Sequence, residues 1–356
     1  MRIGVLTSGG DCAGLNAVIR AVVKRATLGY GWRVFGIRHA THGLLKRPID
    51  AVELTTDSTA GIMTLGGTIL GTTNRGDPFA YPGPDGQTVD RSHEIATGYR
   101  EFGLDALIGI GGDGSLAILR RLAQLGRWNL VGVPKTIDND VAATEHAVGF
   151  HSAVNAATEA LDRLHVTAAS HSRVMVLEVM GRDAGHIALT AGIAGDADVI
   201  LIPELPWSLD AVCAKIESRR AQGRMHSLVI VAESVKAPEG EARTYHDAHG
   251  NVRYGGIGEV LAREIGQRTK AETRVTVLGH VARGGSPVPL DRVVGSAFGV
   301  AAVDLIAEKR FDRMVAWHDR QVVDVPIEEA IATYRAVDPE DTLVHTARGL
   351  DICLGS

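Results

Sequence analysis

The stretch Ala106-Leu107-Ile108-Gly109-Ile110-Gly111-Gly112-Asp113-Gly114-Ser115 decides the fold class of this chain. Residues 106–110 are a continuous apolar run, the pattern of a strand buried on both faces of a parallel sheet. The run passes into a turn of small residues and then a helix. Such a step directs backbone N–H groups at an anion held at a helix N-terminus.

The same step occurs earlier in the chain, and a third strand ends directly in an acidic stretch. Residues 3–6 run into Thr7-Ser8-Gly9-Gly10-Asp11, and residues 130–133 into Pro134-Lys135-Thr136-Ile137-Asp138-Asn139-Asp140. Further strands are expected at 33–37, 174–179, 199–202, 228–232, 275–278 and 314–317. One helix is expected over 14–27, with Val18, Ile19, Val22 and Ala26 on one face. A second is expected over about 144–165, where Phe150, Val154, Ala157, Leu161 and Leu164 form an apolar stripe. Strands alternating with helices predict an α/β fold, doubly wound, with mostly parallel sheets flanked by helices. Ligands bind such folds beyond the carboxyl ends of the strands. Residues 78–90 and 238–255 are turn-rich and read as surface excursions.

Composition narrows the function classes. The chain has 356 residues, 45% of them hydrophobic and 22% charged, which suits a globular protein with a real core. Its 42 glycines exceed the usual share of about 7%, so many tight turns or close backbone approaches to a ligand are expected. A formal net charge of −5 argues against a nucleic-acid-binding surface. No apolar run reaches the roughly 18 residues that a membrane helix needs. Cys12, Cys213 and Cys353 are scattered, which reads as reduced thiols in a cytoplasmic protein. The N-terminus reads as a buried strand rather than a signal peptide.

Residue chemistry points to phosphate. The first turn is not a Walker A loop, since no Gly-Lys-Ser/Thr follows. Gly109 to Gly114 satisfies G-x-G-x-x-G, which alone is weak support for a dinucleotide site. A carboxylate within a phosphate-cradling turn repels its ligand unless a cation lies between, so Asp113 is a candidate Mg²⁺ ligand. A helix N-cap is the alternative for Asp113. Asp138 and Asp140, two residues apart at a strand end, suit a base and a metal ligand, or else a plain Asx turn.

Taken together, the motifs resemble the 6-phosphofructokinase family along nearly the whole chain. They are TSGGD at 7–11, GGDGS at 111–115, PKTIDND at 134–140, MGRDAG at 180–185, GHVARGGSP at 279–287 and Asp291-Arg292. GGDG alone is shared with NAD kinases and lipid kinases; the combination is specific. The resemblance implies the two-lobed phosphofructokinase fold. Residues 1–149 would form a nucleotide- and Mg²⁺-binding lobe and 150–281 a sugar-phosphate lobe. Residues 282–332 would return to the first lobe, and 333–356 would pack on the second.

The resemblance also implies transfer of a phosphoryl group from MgATP to the 1-hydroxyl of fructose 6-phosphate, giving fructose 1,6-bisphosphate, a step of glycolysis in the cytoplasm. Asp138 is then the general base, with Thr136, Arg182 and the Gly10 N–H near the transferring phosphoryl. Asp113 and Asp140 are the implied Mg²⁺ ligands. Gly10, Arg75, Gly76, Gly112, Asp113, Gly114 and Ser115 are the implied donor contacts, with Asn74 an alternative to Arg75. On the sugar side stand Thr136, Ile137, Asp138, Met180, Gly181, Arg182, Glu233, His280, Val281, Ala282 and Arg283. Arg173 and Arg274 would enter from a neighbouring subunit, which implies a homodimer or homotetramer with shared active sites.

Gly114 and Lys135 bear on the donor. Enzymes of the family that use pyrophosphate usually carry Asp at the first position and Lys at the second, and many ATP enzymes carry Gly at both. The absence of a side chain at Gly114 favours ATP, because an Asp there would fill the path of the α-phosphate and repel it. Lys135 would add positive charge near the transferring phosphate. Arg20 matches an arginine of the bacterial effector site, whereas Lys24, Leu65 and His165 replace others, so weak or absent effector regulation is expected. Tyr245, His246, His249 and Tyr254 lie in an insertion that bears on assembly or regulation. The alternatives are a pyrophosphate-dependent enzyme, a kinase for sedoheptulose 7-phosphate, a non-catalytic sugar-phosphate-binding paralogue and a dinucleotide-dependent dehydrogenase. The last lacks a ribose-binding acid at the expected place.

Overall fold

The computed structural model describes residues 1–74, 76–83, 87–238, 240–246 and 252–356, with backbone only for His246 and Arg253. The chain divides into two compact units: Met1–Ser152 with Arg283–Tyr334, and Ala153–Ala282 with Arg335–Ser356. Each is a helix-flanked, mostly parallel sheet.

The first unit carries an eight-stranded sheet in the order Gln321–Pro326, Arg313–His318, Leu130–Thr136, Ala106–Gly111, Arg2–Thr7, Arg33–Ile37, Ala51–Leu54, with Val148–Gly149 added beside Leu130–Thr136. The pairings are parallel except at the two outer strands, Gln321–Pro326 and Ala51–Leu54. Strand Arg2–Thr7 crosses over to Arg33–Ile37 on one side, and Ala106–Gly111 crosses to Leu130–Thr136 on the other. The crevice between Arg2–Thr7 and Ala106–Gly111 is therefore the switch point where doubly wound sheets bind ligands. Helix Leu15–Lys24 packs on helix Pro289–Ala307, while helix Asp113–Gly126 packs on Ser92–Phe102 and Ile327–Ala332. Leu6, Leu107, Leu116, Leu119, Leu130 and Met314 lie in one buried cluster of the core.

The second unit has a four-stranded parallel sheet in the order Val199–Leu201, Ser227–Ala232, Val174–Val179, Thr273–Val277. Val174–Val179 and Ser227–Ala232 are buried along their whole length, as continuous apolar runs require. Thr273–Val277 is an edge strand, only partly buried, and it starts two residues before the expected 275.

Two helices depart from their predicted bounds. The helix expected from 144 begins at Phe150 and continues to His171. Its predicted first turn is spent otherwise: the Glu145 N–H donates to Trp317 O, and Val148–Gly149 joins the sheet. The helix expected over 14–27 is α-helical over Leu15–Lys24 and ends in a wider π turn, Arg25–Gly29. Its predicted inner face, Val18, Ile19, Val22 and Ala26, is fully buried. The turn-rich stretches contain short hairpins, Tyr81–Pro82 with Thr88–Val89 and Thr244–His246 with Val252–Tyr254.

Candidate active site

Three motif turns leave the carboxyl ends of three neighbouring strands in the first unit. Thr7 is level with Ile110, and Gly111 with Pro134, so Gly9-Gly10-Asp11, Gly112-Asp113-Gly114 and Ile137-Asp138-Asn139-Asp140 begin at one edge of the sheet. Gly9 takes a φ of 84°, a backbone conformation that favours glycine.

Side chains separated in sequence hold the first turn. The buried Lys135 donates from Nζ to Gly10 O at 2.5 Å, and Arg283 donates from Nη1 to Asp11 O at 3.0 Å. The Thr72 hydroxyl donates to Gly9 O at 2.7 Å, and the Gly9 N–H donates to Thr73 O at 2.9 Å. Burial pushes the Lys135 ammonium below the ordinary lysine range, opposed in part by the nearby Asp138 and Asp140. Burial pushes the neighbouring Cys12 thiol up to about 12, which makes it inert.

Gly112, not Asp113, occupies the cap position of helix Asp113–Gly126, so the N-cap alternative for Asp113 falls away. Asp113 is the first helical residue, where the helix dipole favours a carboxylate. A Cβ built on Gly114 meets nothing within 4 Å among the described residues, so packing does not demand glycine there. In the third turn, Thr136 Oγ1 donates to Asp140 Oδ1 at 2.8 Å and accepts from the Asp138 N–H at 3.1 Å. Asp138 and Asp140 are both buried. Asn139, at φ 53°, bonds through its amide to Glu145 O and the Ala147 N–H, which ties the turn to the loop after it. Ile137 is 1% exposed and can offer a ligand only its backbone.

No group of three or more His, Cys, Asp or Glu side chains that could share a metal occurs among the described residues. Mg²⁺ takes one or two carboxylates and completes its shell with phosphate oxygens and water. Asp113 and Asp140 supply hard oxygens of this kind.

The second unit repeats the principle. Strands Ser227–Ala232, Val174–Val179 and Thr273–Val277 are neighbours, and their carboxyl ends lead to Glu233, to Met180-Gly181-Arg182 and to the short 3₁₀ turn Gly279–Arg283. Glu233 Oε1 accepts the N–H groups of Arg182 at 3.0 Å and Gly181 at 3.4 Å. The Glu233 carboxylate thus braces the Gly181–Arg182 turn. Arg182 itself stands at φ 52°. His280 and Val281 are exposed, while Ala282 is 2% exposed and shows a ligand little side chain.

Two predicted arginines lie elsewhere. Arg173 precedes strand Val174–Val179, and Arg274 is near the start of Thr273–Val277, so both are at the amino end of that sheet. Both pair with Glu272, at 2.9 Å for Arg173 and 2.5 Å for Arg274. At about 3.3 Å per residue, a six-residue strand separates them from the Arg182 turn by about 20 Å. Within one chain they do not join that turn.

Sequence reading missed several supports. Asp291 is fully buried and accepts from the N–H of Gly149, the N–H of Ser152 and the Ser152 hydroxyl, at 3.0, 2.7 and 2.6 Å. It caps helix Phe150–His171 from another helix, which explains the Asp of the Asp291-Arg292 motif. Arg75 and His249 lie outside the described residues. Asn74 is exposed, and a Cβ on Gly76, whose φ is 80°, would press on Tyr81.

Comparison with known proteins identifies the family. The phosphofructokinase family model matches residues 2–306. The chain is 66% identical to a protein of Nostoc sp. named ATP-dependent 6-phosphofructokinase 1, over 99% of this chain and 98% of the relative. It is 63% identical to the protein of the same name from Synechocystis sp., over 100% and 98%. Among solved structures, phosphofructokinase from Pichia pastoris in the T-state superposes with a TM-score of 0.80 at 30% identity, covering 99% of this chain and 37% of the other. With that match running through both sets of strand-end turns, the chain belongs to the phosphofructokinase family.

Proposed function

We propose that this chain transfers the terminal phosphoryl group of ATP to the 1-hydroxyl of fructose 6-phosphate, giving fructose 1,6-bisphosphate, a step of glycolysis. The observation that carries it is the convergence of the Gly10, Asp113 and Asp138 turns at the carboxyl ends of three adjacent strands. Full-length relatives named as ATP-dependent enzymes support the donor. So does the open space beside Gly114, which leaves room for a donor longer than pyrophosphate.

In this reading Asp138 accepts the proton of the attacking hydroxyl. Phosphoryl transfer has a loose transition state, so placing that carboxylate matters more than raising its basicity. Thr136, bonded to Asp140 and to the Asp138 N–H, keeps the base in position. The Gly10 N–H stabilises charge on the moving phosphoryl, and the Lys135 and Thr72 contacts keep its turn from rotating. Asp113 and Asp140 would hold Mg²⁺, which supplies charge neutralisation at the donor's phosphate oxygens. Arg182 adds charge toward the same phosphoryl. Met180, Gly181, Arg182 itself, Glu233 and His280 hold the sugar phosphate.

Arg173 and Arg274 serve the sugar phosphate of a neighbouring subunit, so the working form is a homodimer or homotetramer. Their place at the amino end of the sheet supports this. The setting is the cytoplasm, where Cys12, Cys213 and Cys353 stay as thiols. No helix among the described residues is long and apolar enough to cross a membrane.

The test is turnover measured with Mg²⁺ for ATP and pyrophosphate, each against fructose 6-phosphate and sedoheptulose 7-phosphate. Turnover is expected with ATP and fructose 6-phosphate. Turnover with pyrophosphate but not ATP would overturn the donor, and a preference for the seven-carbon sugar would overturn the acceptor. A verified monomer with unimpaired fructose 6-phosphate affinity would overturn the shared site.

A further inference from the structure

The turn that carries Arg182 is held from two sides by one excursion of the chain. Arg182 has a left-handed backbone, which costs a residue with a side chain about 1–2 kcal/mol and persists only where its surroundings enforce it. Glu233, where the excursion leaves the sheet, grips the turn through the N–H groups of Gly181 and Arg182. Where the excursion returns, the Tyr254 hydroxyl donates to Asp183 Oδ1 at 2.7 Å.

That return is itself anchored. Strand Val252–Tyr254 pairs antiparallel with Thr244–His246, and the Gly255 N–H donates to Arg243 O at 3.2 Å. The buried Glu178 then accepts from Gly256 N at 3.0 Å and Gly258 N at 2.7 Å. Glu178 belongs to strand Val174–Val179, which leads directly into the Arg182 turn. The backbone two to four residues after Tyr254 is thus tied to the strand before the turn, and the Tyr254 hydroxyl is tied to the residue after Arg182. Asp183 holds the phenol above the usual tyrosine range, as expected of a phenol donating to a carboxylate.

We propose that Tyr254 is a positioning residue for the sugar phosphate: through Asp183 it locks the 180–183 turn in the one conformation that presents Arg182 to its ligand. This rests on the assignment of that turn to fructose 6-phosphate, and the controls separate the two.

Steady-state kinetics of the full-length enzyme test it, with each substrate varied in turn, alongside fructose 6-phosphate titration by calorimetry without donor. Tyr254→Phe removes one hydroxyl and keeps the ring. It should raise the KM and Kd for fructose 6-phosphate by roughly five- to tenfold, the net worth of one typical hydrogen bond, with the KM for ATP and the melting temperature unchanged. Asp183→Ala should match it, and the double variant should add nothing further. Asp183→Asn, which keeps an acceptor oxygen, should recover most of the affinity. An unchanged fructose 6-phosphate affinity in Tyr254→Phe, or additive losses in the double variant, would overturn the proposal while Arg182→Ala still impairs the enzyme. Full affinity and turnover in Arg182→Ala would instead overturn the sugar-site assignment, and the proposal with it.

Discussion

Lys135 reaches across from its own strand to hold the carbonyl oxygen of Gly10, 125 residues earlier in the chain, at 2.5 Å. The contact fixes the peptide after Gly10 in a glycine turn that would otherwise be free to rotate. It also changes what the lysine is for. In sequence it reads as a cation near the transferring phosphate; in the fold it is a buried prop for the Gly10 turn.

Lys135→Met keeps most of the side chain's volume and removes the bond. Loss of one preorganised donor commonly costs about 10²–10³ in kcat, and loss of a support should cost less, so a fall of about 10–10² is expected. Stopped-flow or coupled assays at saturating substrates measure it. Unimpaired kcat would show that the turn holds its shape without the lysine.

Asp138→Asn tests the base. The side chain is buried, and Thr136 and Asn139 help to organise its turn. Turnover should fall by about 10²–10⁴ while fructose 6-phosphate binding, followed by calorimetry, persists. Parallel loss of binding and turnover would reassign Asp138 to substrate recognition.

Gly114→Asp separates donor choice from folding. A side chain there meets no neighbouring atoms, and an acidic residue in the first turn of a helix is favourable by a few tenths of a kcal/mol. The melting temperature should hold or rise slightly, while ATP turnover is lost. A variant that still used ATP normally would place the donor away from this turn.

Acid should weaken the fold through two histidines. Burial pushes His151 down to about 4, with His146 beside it, and burial pushes His186 down to about 4, with Arg335 beside it. Both are neutral in the folded protein, whereas an unfolded imidazole takes a proton near pH ~6.5. The unfolded chain therefore binds more protons between about pH 6.5 and 4. Stability is complete above that window and is lost as pH falls through it, by up to about 3 kcal/mol per group. Melting temperatures recorded from about pH 7 to about pH 4 should fall, and His186→Gln should flatten the slope. A slope unchanged by that variant would remove His186 from the acid response.

Much of the fold was legible because its cause is local. Residues 33–37 and 174–179 are strands with the predicted bounds, since an unbroken apolar run has few other ways to bury itself. The glycine turns were equally legible, because closely spaced small residues after such a run leave room for little but a tight turn. The start of helix Phe150–His171 was not legible. Periodicity extended it back to 144, but Asn139, Trp317 and the sheet claim the backbone groups that a helix there would need.

By itself, the sequence determined most of the strands, the two acidic glycine turns, the Asp138–Asp140 turn and the family to which they belong, all carried by residues within a few positions of one another. The tertiary structure alone decided that Lys135 and Arg283 brace the Gly10–Asp11 turn, that Asp291 caps a distant helix, and that Tyr254 closes on Asp183. It also decided that Arg173 and Arg274 lie at the far end of the sheet from Arg182. The physical reason is direction: residue type and spacing state what a side chain can bond, but the path of the backbone through the sheet determines which end it occupies and what it meets there.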